Sequence, residues 1–276
     1  MRLLHSLALI CAVCVPGAVE ARQDGGRVGE APPPLVTDRP DQTESSTVVP
    51  SGLVQVEAGL AHLEDVERGA EVTSDGFAEM LVRVGLGRRF ELRAGFAGFR
   101  LLEEGETGGD AVREEGFGAA SLGLKVGLVE ERGLRPQIAL IAGTILPGGA
   151  GTFSSEGFDP FLRAAASHTL SERLSLAYNL GAAWLTEEDE TGDEDTLSVL
   201  LGTVALGIGA TDRLGFFVEL FGESGLSDES EFSSADAGLT WLLLDNVQLD
   251  LASGVGLSTS ADDWFAGLGV SFRLPR

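Results

Sequence analysis

Charged residues recur singly inside short apolar runs, and they are where this chain could do chemistry. Glu57, Glu79, Arg83, Glu91, Arg93, Lys125, Arg163, Glu219, Asp236, Asp250 and Arg273 each stand between two apolar neighbours. In an extended chain successive side chains face opposite ways, so each of these points away from an oily face. The set carries both signs. Buried charge is costly when dry and unpaired, so the face they share is either wet or paired within itself. The same alternation turns Phe99, Phe117, Phe161, Phe217 and Phe221 toward that face. All but Phe217 fall near one end of their strands. Phe99, Phe117, Phe161 and Phe221 together suggest an aromatic-lined site for a small, largely apolar molecule, with Arg83 and Glu219 deeper to orient a hydroxyl or carboxylate. The plainer alternative is that these rings pack against inward-folded loops.

Covalent catalysis finds no support. His5 falls in a leader, which leaves His62 and His168. Ser167 and His168 are adjacent on a strand and so face opposite ways. No nucleophile, base and orienting group converge, and the chain is expected not to be an enzyme. Residues 187–195 carry seven carboxylates, but their spacing matches no calcium loop, and a solvated acidic loop is expected. No metal or cofactor is called for. Pairs such as Gly207 and Gly209 lack the setting of a dinucleotide fingerprint. The net charge of −24 excludes nucleic acid as a partner, because phosphate repels it.

The elements that must position these residues are strands. In the segment 264–274, Trp264, Ala266, Leu268, Val270, Phe272 and Leu274 form an apolar set, and Gly267, Gly269, Ser271 and Arg273 alternate with them. One oily face and one small or polar face fit a strand between lipid and a lumen. The same pattern predicts strands at 53–63, 77–86, 90–101, 116–128, 135–145, 159–170, 174–185, 197–210, 214–223, 233–243 and 247–257. Short links near 87–89, 129–134, 171–173, 211–213 and 244–246 alternate with longer ones near 64–76, 102–115, 146–158, 186–196, 224–232 and 258–263. An even strand number with turns on one side and loops on the other describes an all-β, 12-stranded antiparallel transmembrane β-barrel of the bacterial outer membrane. No stretch reaches the roughly 18 apolar residues of a spanning helix, and barrel strands need only about 9–11.

Residues 1–21 are expected to be a signal peptide, with Arg2 before an apolar run and a cut after Ala21. Cys11 and Cys14 leave with it. Residues 22–52 are polar and Pro-rich and read as a periplasmic segment ahead of the barrel, 53–276. Asp38, Arg39 and Asp41 could pair with Arg83, Glu91 or Arg93 from below, which would make the segment a partial plug. A loose periplasmic tail is the alternative.

The run Thr37-Asp38-Arg39-Pro40-Asp41-Gln42-Thr43-Glu44-Ser45, followed by Gln55-Val56-Glu57-Ala58-Gly59, resembles the opening of an outer-membrane transporter family labelled for the meta-pathway of phenol degradation. Leu146-Pro147-Gly148-Gly149, Phe217-Val218-Glu219 and the final strand fit the same pattern. The resemblance implies an outer-membrane barrel that passes small, aromatic solutes. A non-conducting structural or surface-interaction barrel is the rival function. Gly269, Phe272 and Leu274 also resemble the terminal signal read by the barrel-assembly machinery, with Pro275 and Arg276 following it. Expected partners are outer-membrane lipid, that machinery and a small-molecule solute. Finally, the hairpin of the last two strands is expected to set Asp250 opposite Arg273 as an ion pair.

Overall fold

The computed structural model describes residues 33–67, 69–155, 157–188, 194–226 and 231–275. The expected leader, the start of the N-terminal segment and most of the acidic run 187–195 fall outside these. The strands are β1 (Val54–Glu67), β2 (Ala70–Leu86), β3 (Phe90–Phe96), β4 (Phe99–Glu106), β5 (Ala111–Phe117), β6 (Ala120–Val129), β7 (Gln137–Ile145), β8 (Asp159–Ser171), β9 (Leu174–Glu188), β10 (Glu194–Gly209), β11 (Leu214–Gly225), β12 (Glu231–Leu244), β13 (Val247–Gly256) and β14 (Trp264–Leu274).

Twelve of these form a ring. Antiparallel neighbours run from β1 through β14 down to β6, then β3 and β2, and β2 pairs with β1 again. Closure removes the unpaired edge that an open sheet would expose. The closing pair of β1 and β14 runs from Val54↔Leu274 to Glu64↔Trp264. β4 and β5 continue β3 and β6 outward as a hairpin paired to β2. Between bulges, side chains obey the period of two. Leu122, Leu180, Val218, Leu220, Leu251 and Leu268 are exposed on the outer face, as lipid contact requires, while Gln55, Glu57, Arg83, Glu91 and Lys125 are buried inside. Trp184, Trp241 and Trp264 are exposed toward strand ends, where interfacial aromatics belong.

Two expectations about the outer end fail. The regions 64–76 and 102–115 are not loops. β1 and β2 stay paired to Glu67↔Ala70, and β4 and β5 stay paired to Gly105↔Ala111. Their charges suggested loops, but a ladder running past the lipid tolerates charge on both faces. The second failure concerns facing. Ala78, at φ 57°, is an extra residue opposite the Gly59–Leu60 step, and Ala97 and Gly98 interrupt the chain between β3 and β4. A one-residue insertion flips every side chain beyond it. Phe99 therefore lies opposite Phe77, and Phe117 opposite Phe99, on the face that carries the outward Leu60. Their rings pack with Phe77 and the outward Phe96 at 5.5–6.5 Å between centroids. Phe99 and Phe117 thus belong to an outer aromatic patch, not to the lumen. The same flip carries Arg100 inside, where it pairs with Glu79 at 2.8 Å.

Candidate functional site

The interior is occupied by the chain's own N-terminal segment. Thr37, Asp38, Asp41, Thr43, Ser46, Val48 and Val49 are all buried. Among the described residues, every ring strand except β12 gives this segment a hydrogen bond or ion pair. β1 accepts the Asp38 N–H on Glu57 (2.7 Å). The ion pairs come from Arg83 of β2 and Lys125 of β6, at 3.2 and 2.9 Å from Asp38, from Arg93 of β3 to Asp38 and to Glu44 (2.6 Å), and from Asp250 of β13 to Arg39 (3.4 Å). β7 donates from Gln137 to the Ser46 carbonyl (3.0 Å), and β8 bonds Ser46 through Ser167 (2.7 Å). Asn179 of β9 accepts the Glu44 N–H (2.6 Å), Thr203 of β10 bonds Thr43, and Glu219 of β11 accepts the Gln42 N–H. Arg273 of β14 donates to the Pro34 carbonyl (3.1 Å).

The glycines of the wall make room for this. A side chain at Gly59 or Gly269 would collide with the Arg39 guanidinium, and one at Gly85 would lie 2.2 Å from the Pro50 carbonyl oxygen. These strand glycines are the seat of the segment, beyond their part in barrel packing.

The predicted lumen residues all sit inside, but their partners differ from those expected. Arg83 binds Glu57 (2.9 Å) and Glu91 (2.8 Å), and Arg93 binds Glu91 (3.0 Å). With Lys125 these cations surround Asp38. Burial pushes the Asp38 carboxyl up, but Arg83, Lys125 and Arg93 outweigh it and hold the group well below the usual carboxylate range. Arg163 lies 3.6 Å from Glu44. The expected pair of Asp250 and Arg273 does not form. Asp250 stands opposite Gly269 and binds Arg39, while Arg273 reaches the carbonyls of Pro33 and Pro34. The β13–β14 hairpin turns earlier than expected, so Asp250 faces Gly269, four residues short of Arg273 on β14.

Asp41 has the opposite surroundings from Asp38. Burial, and then the Glu219 and Asp236 carboxylates, push its carboxyl well above the usual range. Neither of its oxygens, nor either of those of Asp236, has a hydrogen-bond donor.

The four expected aromatic residues do not share one site. With Phe99 and Phe117 outside, Phe221 packs edge-on with Phe232 and Phe265, at 6.3 and 5.8 Å. Phe161 packs against Ala183, Leu185, Leu197 and Val199. An apolar recess bounded by Phe161, Leu185, Val199, Arg163 and Glu223 holds a cavity of about 20 Å³, room for a single water. Sequence reasoning missed Glu44, Thr43 and Arg100. The first two lie in a recognisable polar motif; Arg100 could not be placed without the bulge.

A closed antiparallel barrel, oily outside and charged within, is the architecture of bacterial outer-membrane channel proteins. Residues 37–274 match the family described as "Putative MetA-pathway of phenol degradation", and the chain belongs to it. Its fold is similar to an outer membrane channel from Pseudomonas putida F1, with 13% identity over 83% of this chain and 98% of that one, and a TM-score of 0.67. It is also similar to the translocator domain of the autotransporter NalP from Neisseria meningitidis, with 13% identity over 80% and 88% of the two chains and a TM-score of 0.54. No curated protein matches the chain.

Proposed function

We propose that this barrel is an outer-membrane conduit for small, largely apolar solutes, aromatic ones included, and that residues 33–52 plug it at rest. The observation that carries this is the burial of Thr37–Val49 across the lumen, tied to the wall on nearly all sides. The plug's neutral hydrogen bonds to the wall can be exchanged for water, so part of the plug can move aside while its ion-paired end stays attached. Above it, Phe161, Phe221, Phe232 and Phe265 give the outer half of the lumen an apolar lining suited to aromatic solutes. The final strand, with Phe272 and Leu274, serves as the assembly signal.

The rival is a non-conducting barrel closed for good. The dense pairing of the Asp38 cluster favours it. Deleting 33–45 separates the two. A conduit gains single-channel conductance in planar bilayers and faster phenol uptake by cells. An intact barrel whose conductance and uptake stay unchanged after the deletion would establish the rival.

A further inference from the structure

The plug is held differently on its two sides, and one side carries a problem of charge. Around Asp38, Arg83, Arg93 and Lys125 all pair with its carboxylate and also answer Glu44, Glu57 and Glu91. The charged groups that act most strongly on Asp41 are Glu219 of β11, Asp236 of β12 and Asp38 of the plug itself, all acidic. Glu219 and Asp236 are direct cross-strand partners, both buried on the lumen face. Two buried carboxylates so placed repel each other unless one holds a proton. The plug rests on this pair: the Gln42 N–H and the Thr43 hydroxyl both donate to Glu219. Asp41 is fully buried beside them with both oxygens unpartnered. Among the described residues no carboxylate group is arranged to clasp a metal ion. Three adjoining buried carboxylates cannot all stay ionised without a counter-charge.

We propose that Asp41, Glu219 and Asp236 form a proton-operated clasp that holds the Asp41–Thr43 stretch of the plug to the β11–β12 wall and releases it as pH rises. The inference rests on the plug reading. Protonated, the trio is a neutral or singly charged patch on which the plug's donors close. Ionised, it repels Asp41 and frees that side of the lumen, while Arg83, Arg93 and Lys125 keep the Asp38 end attached. The plug then swings on an anchored end and is not expelled. The sign follows from linkage. Docking raises the affinity of Asp41 for its proton, so this contribution is complete at acid pH and fades as pH climbs through the raised value.

The test is conductance of purified full-length barrel in planar bilayers between pH 5 and pH 8, with heat-modifiable gel mobility to show that each variant is folded. The wild-type open-to-closed ratio should rise with pH, by up to about tenfold per unit for each proton released. Asp41→Asn combined with Asp236→Asn keeps shape and hydrogen-bonding capacity, leaves Glu219 as the one ionisable member and so removes the repulsion among the three; it should stay closed with a much shallower profile. A flat wild-type profile, or a double variant that keeps the wild-type slope, overturns the clasp. Deleting 33–45 distinguishes the two failures. If it opens the barrel at every pH while the wild type is flat, the plug stands and the clasp falls. If the deletion changes nothing, the plug reading fails, and the clasp with it.

Discussion

Replacing Asp38 by Asn tests the anchored end of the segment most directly. Asn keeps the size of the side chain and can still accept the Ser45 N–H that Asp38 accepts at 3.0 Å. It removes one negative charge from the centre of Arg83, Arg93 and Lys125, all of which sit within ion-pair distance of that carboxylate. Breaking a buried ion pair from one side costs about 3–5 kcal/mol. Here the lower end applies, because Glu57, Glu91 and Glu44 remain beside the cations; Lys125 fares worst, with its remaining partner Glu44 at 3.9 Å. A loss of about 3 kcal/mol shifts the docked-to-undocked ratio about a hundredfold. The wall ladders are untouched, so the barrel should keep its melting temperature while bilayer recordings show frequent openings. The depressed Asp38 carboxyl adds a second mark. Its contribution is present above the ordinary carboxylate range and is lost only as pH falls through its lowered value. The effect of Asp38→Asn should therefore be the same from pH 5 to pH 8. A folded variant with wild-type closure would refute the anchoring role of Asp38.

Other outcomes follow from the same geometry. Gly85→Ala drives a methyl group onto the Pro50 carbonyl oxygen, and should loosen the plug-to-wall junction by about 1–3 kcal/mol, read as increased hydrogen exchange at residues 49–53. An epitope inserted at Gly108, in the β4–β5 turn, should bind antibody on intact cells, whereas one at Arg88, in the β2–β3 turn, should need permeabilised cells. In the outer loop between β13 and β14, burial and then the neighbouring Asp65 and Asp263 carboxylates raise Asp262 to about 6. That raised value stabilises the loop at acid pH and ceases to do so as pH passes 6, so protection factors across 257–263, corrected for the intrinsic rise of exchange with pH, should fall between pH 5 and pH 7.

The wall was largely legible from the sequence, because lipid on one face and charge on the other impose a strict period of two. Glu57, Arg83, Lys125 and Glu219 sit inside for that reason alone. The period is silent about insertions. Ala78 looks like any small strand residue, yet it turned Phe99 and Phe117 outward and Arg100 inward. Partners were harder still. Asp250 and Arg273 share a face, but the β13–β14 hairpin sets Arg273 four residues beyond the position opposite Asp250, and each binds the N-terminal segment instead. That segment showed charge and proline but no period, so its contacts depended on a cavity whose shape only the closed barrel provides. The acidic trio was invisible for the same reason, since Asp41 is nearly 180 residues before Glu219.

The bed of Arg39 has a consequence for how the molecule is built. It is made of Gly59 on the first wall strand, Gly269 and the Leu268 carbonyl on the last, and Asp250 next to it. Those pieces meet only when β1 and β14 zip together. The segment that is synthesised first thus has no place to bind until the chain's far end arrives. During assembly its arginine is a late reporter, lodged only in barrels whose seam has closed in the right register. A barrel sealed one residue out of step would present a side chain where Arg39 needs a gap.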